Sequence, residues 1–145
     1  MNTYVFTLRY RCPDTAQGNH SDFPGIYSMT LTRTAATARQ VLLAALGEMR
    51  ALHPDWQLLE IAPDLLGLNG VAQLCGFSQK NMRQLLEKYS SLLPAPQLID
   101  GAPFWHAVDM LGLITLLDWR AVPESELELA AAARQLNRSL PLLNR

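Results

Sequence analysis

No membrane span, signal peptide or common phosphate cradle is expected from this chain. No apolar run reaches the roughly 18 residues that cross a bilayer. The opening MNTYVFTLRYR has no basic stretch leading into an apolar one, so no signal peptide is expected. Cysteine is scarce. Cys12 and Cys75 lie far apart, and Cys75 occupies a buried-type helix position, where cysteine acts as a small hydrophobe. A reduced, cytoplasmic compartment is the expected setting. Net charge is also missing, at −1 for the whole chain, so the overall basicity usual in nucleic-acid binders is absent. Neither GxxxxGK[ST] nor GxGxxG occurs, which removes the common phosphate cradles, and no GxSxG elbow presents a serine nucleophile. His20, His53 and His106 do not cluster with the cysteines at metal-ligand spacing, so no metal and no cofactor is expected. His106 reads as a cap of the helix that follows it, or as a partner for a backbone carbonyl, with Asp109 helping the same helix start. The acids Asp55, Glu60 and Asp64 read as a solvated edge rather than paired catalytic carboxylates. No enzyme is expected.

What the chain does have is enough apolar content, 49% of 145 residues, for a real core in one or two small domains. Residues 3–11 alternate, with Tyr4, Phe6, Leu8 and Tyr10 on one face. That period of two predicts a half-buried strand. Residues 13–25 are rich in Pro, Gly, Asp and Asn and predict a loop. Residues 26–33 alternate again, a second strand antiparallel to the first. Thr37 is placed to cap a helix whose stripe is Val41, Leu42, Ala45, Met49 and Leu52, and Pro54 ends it. QLLEIAP (57–63) predicts a third strand. Strand, strand, helix, strand makes a small antiparallel sheet with one helix on a face, an α+β module over 1–64. Tyr10 and Arg9 on its first strand, and its sheet edges, are candidates for a protein partner.

From Leu68 to Glu87 the pattern predicts a helix-turn-helix. Val71, Ala72 and Cys75 form the inner face of a first helix, with Ala72 small enough for a close crossing. Gly76 supplies the turn, where positive φ is needed. Phe77 plugs the corner. Ser78 caps a second helix whose inner face is Met82 and Leu85. Gln79, Lys80, Asn81, Arg83 and Gln84 are left outward, and such amides and cations suit base edges and phosphates in a major groove about 12 Å wide. Between Ser78 and Tyr89 the cations Lys80, Arg83 and Lys88 face one anion, Glu87. Acids collect elsewhere, as at Glu124, Glu126 and Glu128. Leu98-Ile99, Asp100-Gly101 and Phe104-Trp105 then predict a tight hairpin. A mostly apolar helix over 106–120 follows, with Val108, Leu111, Ile114, Leu117 and Trp119 inward. Trp56, Trp105 and Trp119 read as packing residues. Pro123 opens a last helix, whose stripe of Leu129, Ala133, Leu136 and Leu140 either folds back or pairs with a partner.

The stretch VAQLCGFSQKNMRQLLEKYSSLLPAPQLIDGAPFWHAVDMLGLI resembles the winged helix of the MerR and excisionase superfamily, particularly its small phage-regulator type. Leu92, Pro94, Ala95, Pro96, Trp105 and Asp109 stand where that pattern has them. The stretch from Ala62 to Leu86 also resembles a group of bacterial DNA-binding proteins with an N-terminal ferredoxin-like module. There a helix joins the first two strands, whereas residues 13–25 are too short and too rich in Pro and Gly for one. The resemblance implies that Ser78, Gln79, Lys80, Asn81, Arg83 and Gln84 read the groove, while Lys88 and the wing tip, with Gly101, lie nearer phosphate. The tip is Asp-Gly-Ala, without Arg or Lys, which implies a minor role for the wing. The long coiled coil and effector site of full MerR regulators have no counterpart here.

The expectation is therefore an α+β module (1–64), a winged helix-turn-helix (65–120) and a C-terminal helix (121–145) favoured as the dimer element. Together they would form a dimeric, sequence-specific double-stranded-DNA-binding regulator, a repressor. The rival expectation is a protein-interaction or antitoxin-like adaptor that uses the N-terminal module, with the winged helix as scaffold.

Overall fold

Four aromatic and aliphatic side chains alternate along strand β1 (Asn2–Arg11). Tyr4, Phe6, Leu8 and Tyr10 are all buried on its inner face, while Thr3, Val5 and Arg11 lie on the outer one. The computed structural model describes residues 1–13 and 25–145. The loop expected over 13–25, with His20, lies almost wholly outside the described residues. Strand β2 (Ile26–Ala35) pairs antiparallel with β1 from Asn2↔Ala35 to Arg11↔Ile26. Strand β3 (Gln57–Ala62) pairs with the other edge of β1, with an irregularity opposite Arg9/Tyr10, so the order is β2-β1-β3.

Helix α1 (Ala38–Leu52) buries Ala38, Val41, Leu42, Ala45 and Met49 in the same core, but its expected stripe residue Leu52 is 71% exposed. The helix is already ending there, with His53 as C-cap. Thr37 caps the start by accepting from the Gln40 amide at 3.2 Å.

By its internal packing the chain divides into two units, residues 1–63 with 128–145, and residues 64–127. The C-terminal segment is thus not a third part. Helix α5 (Glu124–Asn137) belongs to the second unit up to Leu127 and to the first from Glu128. Its stripe of Leu129, Ala133 and Leu136 is buried in the core of its own chain. Folding back is the outcome, and the surface favoured for a dimer is already covered. Each such buried leucine contributes about 1.5–3 kcal/mol over leaving it in water.

Polar groups fix the same segment. Glu128 accepts from the Tyr4 hydroxyl at 2.9 Å and from the free Ala38 amide at the start of α1 at 2.8 Å. Asn137 accepts from the Ile61 amide and donates to its carbonyl, both at 2.8 Å. Asn144, just past helix α6 (Leu140–Leu143), does the same for Leu58 at 2.8 and 2.9 Å. Two side-chain amides thereby stand in for a missing strand along the outer edge of β3.

In the second unit a short strand β4 (Leu65–Leu66) precedes two helices, α2 (Leu68–Cys75) and α3 (Gln79–Lys88). A single 3-10 turn leads into strands β5 (Gln97–Ile99) and β6 (Ala102–His106), and helix α4 (Ala107–Leu116) follows. The sheet order is β4-β6-β5, antiparallel throughout. The architecture is α+β. Helix α4 stops short of the expected 120, because Asp118 takes a left-handed φ of 57°. It buries Ala107, Met110, Leu111, Leu113 and Ile114, leaving Val108 and Leu117 half-buried. Among the described residues, no helix is long and apolar enough to cross a membrane.

Candidate nucleic-acid interface

The candidate site is built from the α2–α3 corner outward. Val71, Ala72 and Cys75 are buried, as their spacing predicts. Gly76 ends α2 with φ 75° and ψ 25°. The next amide, that of Phe77, reaches back to the Ala72 carbonyl at 2.9 Å, so the helix end is closed by its own backbone. A Cβ at Gly76 would meet nothing within 4 Å. The demand for glycine there is conformational rather than steric.

Ser78 starts α3 by accepting from the Asn81 amide at 3.1 Å. No acid sits in the first turn, so the positive end of the helix dipole has no local carboxylate of its own. Met82 and Leu86 are the buried pair. The sequence pattern placed Leu85 inward beside Met82, but Leu85 is only half-buried. The i,i+4 spacing lines up Met82 with Leu86 and rolls the helix slightly from the expected face.

That roll fixes what points out. Lys80, Gln84 and Lys88 follow one another at i,i+4 spacing along the outer face, with Arg83 on one flank and Asn81 on the other. Gln79, Lys80, Asn81, Arg83, Gln84 and Lys88 are all exposed, as is Ser78 at the cap. None of the three cations enters an ion pair among the described residues. Lys88 lies 5.4 Å from the centroid of the Tyr89 ring, and that ring meets Trp119 edge-on at 6.0 Å. Trp119 thus packs from the segment after α4 rather than from within it.

Gly101, the remaining expected site residue, sits apart from α3 at the β5–β6 turn. Asp100 and Gly101 have φ 51° and 79°, both positive, as a two-residue type I′ hairpin requires. The tip offers backbone amides and one carboxylate but no cation. Leu98 and Ile99 beside it are 71% and 43% exposed.

The hairpin is anchored by contacts that sequence reasoning missed. Asp64, expected at a solvated edge, is 7% exposed. One of its carboxylate oxygens lies 2.7 Å from Nδ1 of His106, and its backbone carbonyl accepts from the Ala107 amide at 2.5 Å. His106 is the residue before α4, but its side chain makes no capping hydrogen bond and turns to Asp64 instead. Trp105 is buried and donates from its indole N–H to the Pro94 carbonyl at 3.0 Å, which ties the hairpin to the LPAP segment. Arg120, at the far end of the unit, is held by Glu126 through contacts of 2.9 and 2.6 Å. That hydrogen bonding raises its guanidinium pKa, while its Nε is left buried without a partner among the described residues.

Among the described residues, no group of three His, Cys, Asp or Glu side chains is gathered as a metal site would need. No family model, no curated protein and no solved structure matches this chain.

Proposed function

We propose that the protein is a sequence-specific double-stranded-DNA-binding regulator of the winged-helix type similar to MerR and excisionase proteins. It works as a dimeric repressor in the cytoplasm. The observation that carries this reading is the outer face of α3, where Lys80, Arg83 and Lys88 stand with Gln79, Asn81 and Gln84, exposed and, among the described residues, without acid partners. Arginine and lysine donate to guanine, and asparagine and glutamine pair with adenine, in a groove that admits one helix. Ser78 and the first amides of α3 suit a phosphate. The hairpin tip contributes little charge, so most of the affinity rests on one helix, used twice by a dimer on half-sites roughly 34–36 Å apart. Cys12 and Cys75 are free thiols, in keeping with a reducing compartment.

The test is selection of bound sequences from a random duplex pool, followed by titration of the selected site. Arg83→Ala is expected to cost about 1–3 kcal/mol on that site while barely changing binding to mixed DNA. Equal loss on every sequence makes Arg83 a phosphate contact, and no loss sinks this docking of α3.

A second reading, a protein-interaction or antitoxin-like adaptor, is favoured by the charge of the helix-turn-helix unit. Residues 64–127 hold four Lys and Arg against seven Asp and Glu. The exposed Leu98 and Ile99 give such an adaptor an apolar contact. Failure to retain any duplex DNA at low salt decides for this reading, because counterion release makes non-specific binding strongest there.

A further inference from the structure

A cavity of about 190 Å³ opens within the first unit, between the C-terminal half of α1, the 53–56 turn, β3 and the α6 end. An apolar cavity of about 150 Å³ takes up benzene, so this one admits a ring-sized molecule. Its apolar lining includes Leu43, Leu46 and Leu58. Trp56 gives it a flat, fixed side, because the indole stacks on His53 at 3.7 Å and 9° and tilts against Tyr10 at 6.0 Å.

Three features show more than a packing gap. Tyr10 is 5% exposed, and its hydroxyl has no hydrogen-bond partner among the described residues. Among the described residues only Arg120 Nε is a fully buried side-chain polar atom without a partner, so the Tyr10 hydroxyl is reached by water or by a ligand. Burial pushes that phenol up to about 12, so it stays a proton donor at neutral pH. Arg50 lines the cavity with one nitrogen on the Leu143 carbonyl at 3.0 Å and no carboxylate partner among the described residues. Among the described residues, no Asp or Glu lines the cavity. Gly47, in the middle of α1, costs that helix about 1 kcal/mol relative to alanine. A Cβ there would meet nothing within 4 Å, so packing does not demand glycine, and its missing side chain keeps the cavity open.

We propose that this cavity binds a small organic anion, a ring-sized apolar body bearing one carboxylate, with Trp56 and Leu46 against the body and Arg50 and Tyr10 as donors. Asn144 also lines the space, but its amide is committed to the Leu58 backbone. The assignment stands independently of DNA binding.

The test is amide and indole NMR of the full chain titrated with benzoate and, separately, with benzyl alcohol, its neutral counterpart. Benzoate is expected to give saturable shifts confined to residues 46–50 and 56–58 and the Trp56 indole, with Kd about 1 mM or tighter. Benzyl alcohol is expected to bind at least about tenfold more weakly. Arg50→Gln should bring the two probes level, and Gly47→Leu, which fills the opening from an exposed helix position, should abolish both. Absence of saturable shifts, shifts centred elsewhere, or equal affinity for both probes in the parent overturns the proposal. So does unchanged binding in a Gly47→Leu protein with parental melting. If that variant fails to fold, the Arg50→Gln comparison decides alone.

Discussion

Asp64 holds the base of the hairpin through two groups at once, its carboxylate on His106 and its carbonyl on the Ala107 amide. A buried acceptor whose removal strands its partner costs about 1–3 kcal/mol. Asp64→Ala should therefore lower the urea midpoint by that amount, while Asp64→Asn, which keeps an acceptor for the imidazole N–H, loses less. An unchanged midpoint in the alanine variant would show the contact to be idle. At this scale local rules made some residues legible. Thr37, Gly76 and Ser78 act on amides and carbonyls within five positions of themselves, and each was placed from the sequence. Asp64 and Glu128 were not. Their partners lie 42 and 90 positions away, and nothing in an acid's neighbours tells a solvated carboxylate from one aimed at a distant helix start.

At the scale of elements, the outer edge of β3 is closed by side chains rather than by a strand. Asn144 binds both backbone groups of Leu58, and Asn137 both of Ile61. Asn144→Ala should cost about 1–3 kcal/mol and speed hydrogen exchange of the Leu58 amide more than that of Ile61. Equal acceleration at both amides would mean that the C-terminal segment lifts as one piece. Strands and helices themselves were largely readable, because their periods of two and 3.6 are written in apolar spacing. The errors fall where period and burial part company. In α3 two adjacent leucines compete for the inner face, and the tie goes to Leu86. In α4 the run of apolar residues outlasts the helix, since Asp118 turns left-handed and Trp119 is needed against Tyr89.

At the scale of the molecule, the dimer that the proposed function calls for needs a surface, and α5 no longer offers one. Among the described residues, the edge of β2 that faces away from β1 has no strand beside it. Leu58 and Ile61 turn their backbone groups away from β1, so their partners Tyr10 and Leu8 turn theirs toward β2. The same alternation sends the N–H and C=O of Ser28, Thr30, Thr32 and Thr34 outward. This edge has no proline or lysine, and its one charge, Arg33, is paired with Glu48 at 2.6 Å. Met29 and Leu31 remain half-buried where the sheet stops. Antiparallel pairing with a second copy extends both the hydrogen bonds and that apolar stripe. Sedimentation should give a dimer, and Thr32→Pro, which removes only an outward N–H on an edge strand, should give a folded monomer. A parent chain that stays monomeric at concentrations well above those of the DNA assays removes this edge from consideration. Composition pointed to sheet edges but not to which one, because the residues that close β3 lie 76 and 86 positions from it in sequence.

That the sequence of the second unit interrupts that of the first has a consequence in time. A ribosome delivers residues 64–127 in full before residue 128 is made. The second unit therefore has its entire sequence while the first still lacks Glu128, Asn137 and Asn144. Until those residues emerge, α1 has no carboxylate at its start and β3 has an open flank. The part that starts first is thus the last to be finished, and the nascent sheet is most exposed to wrong pairing during that interval.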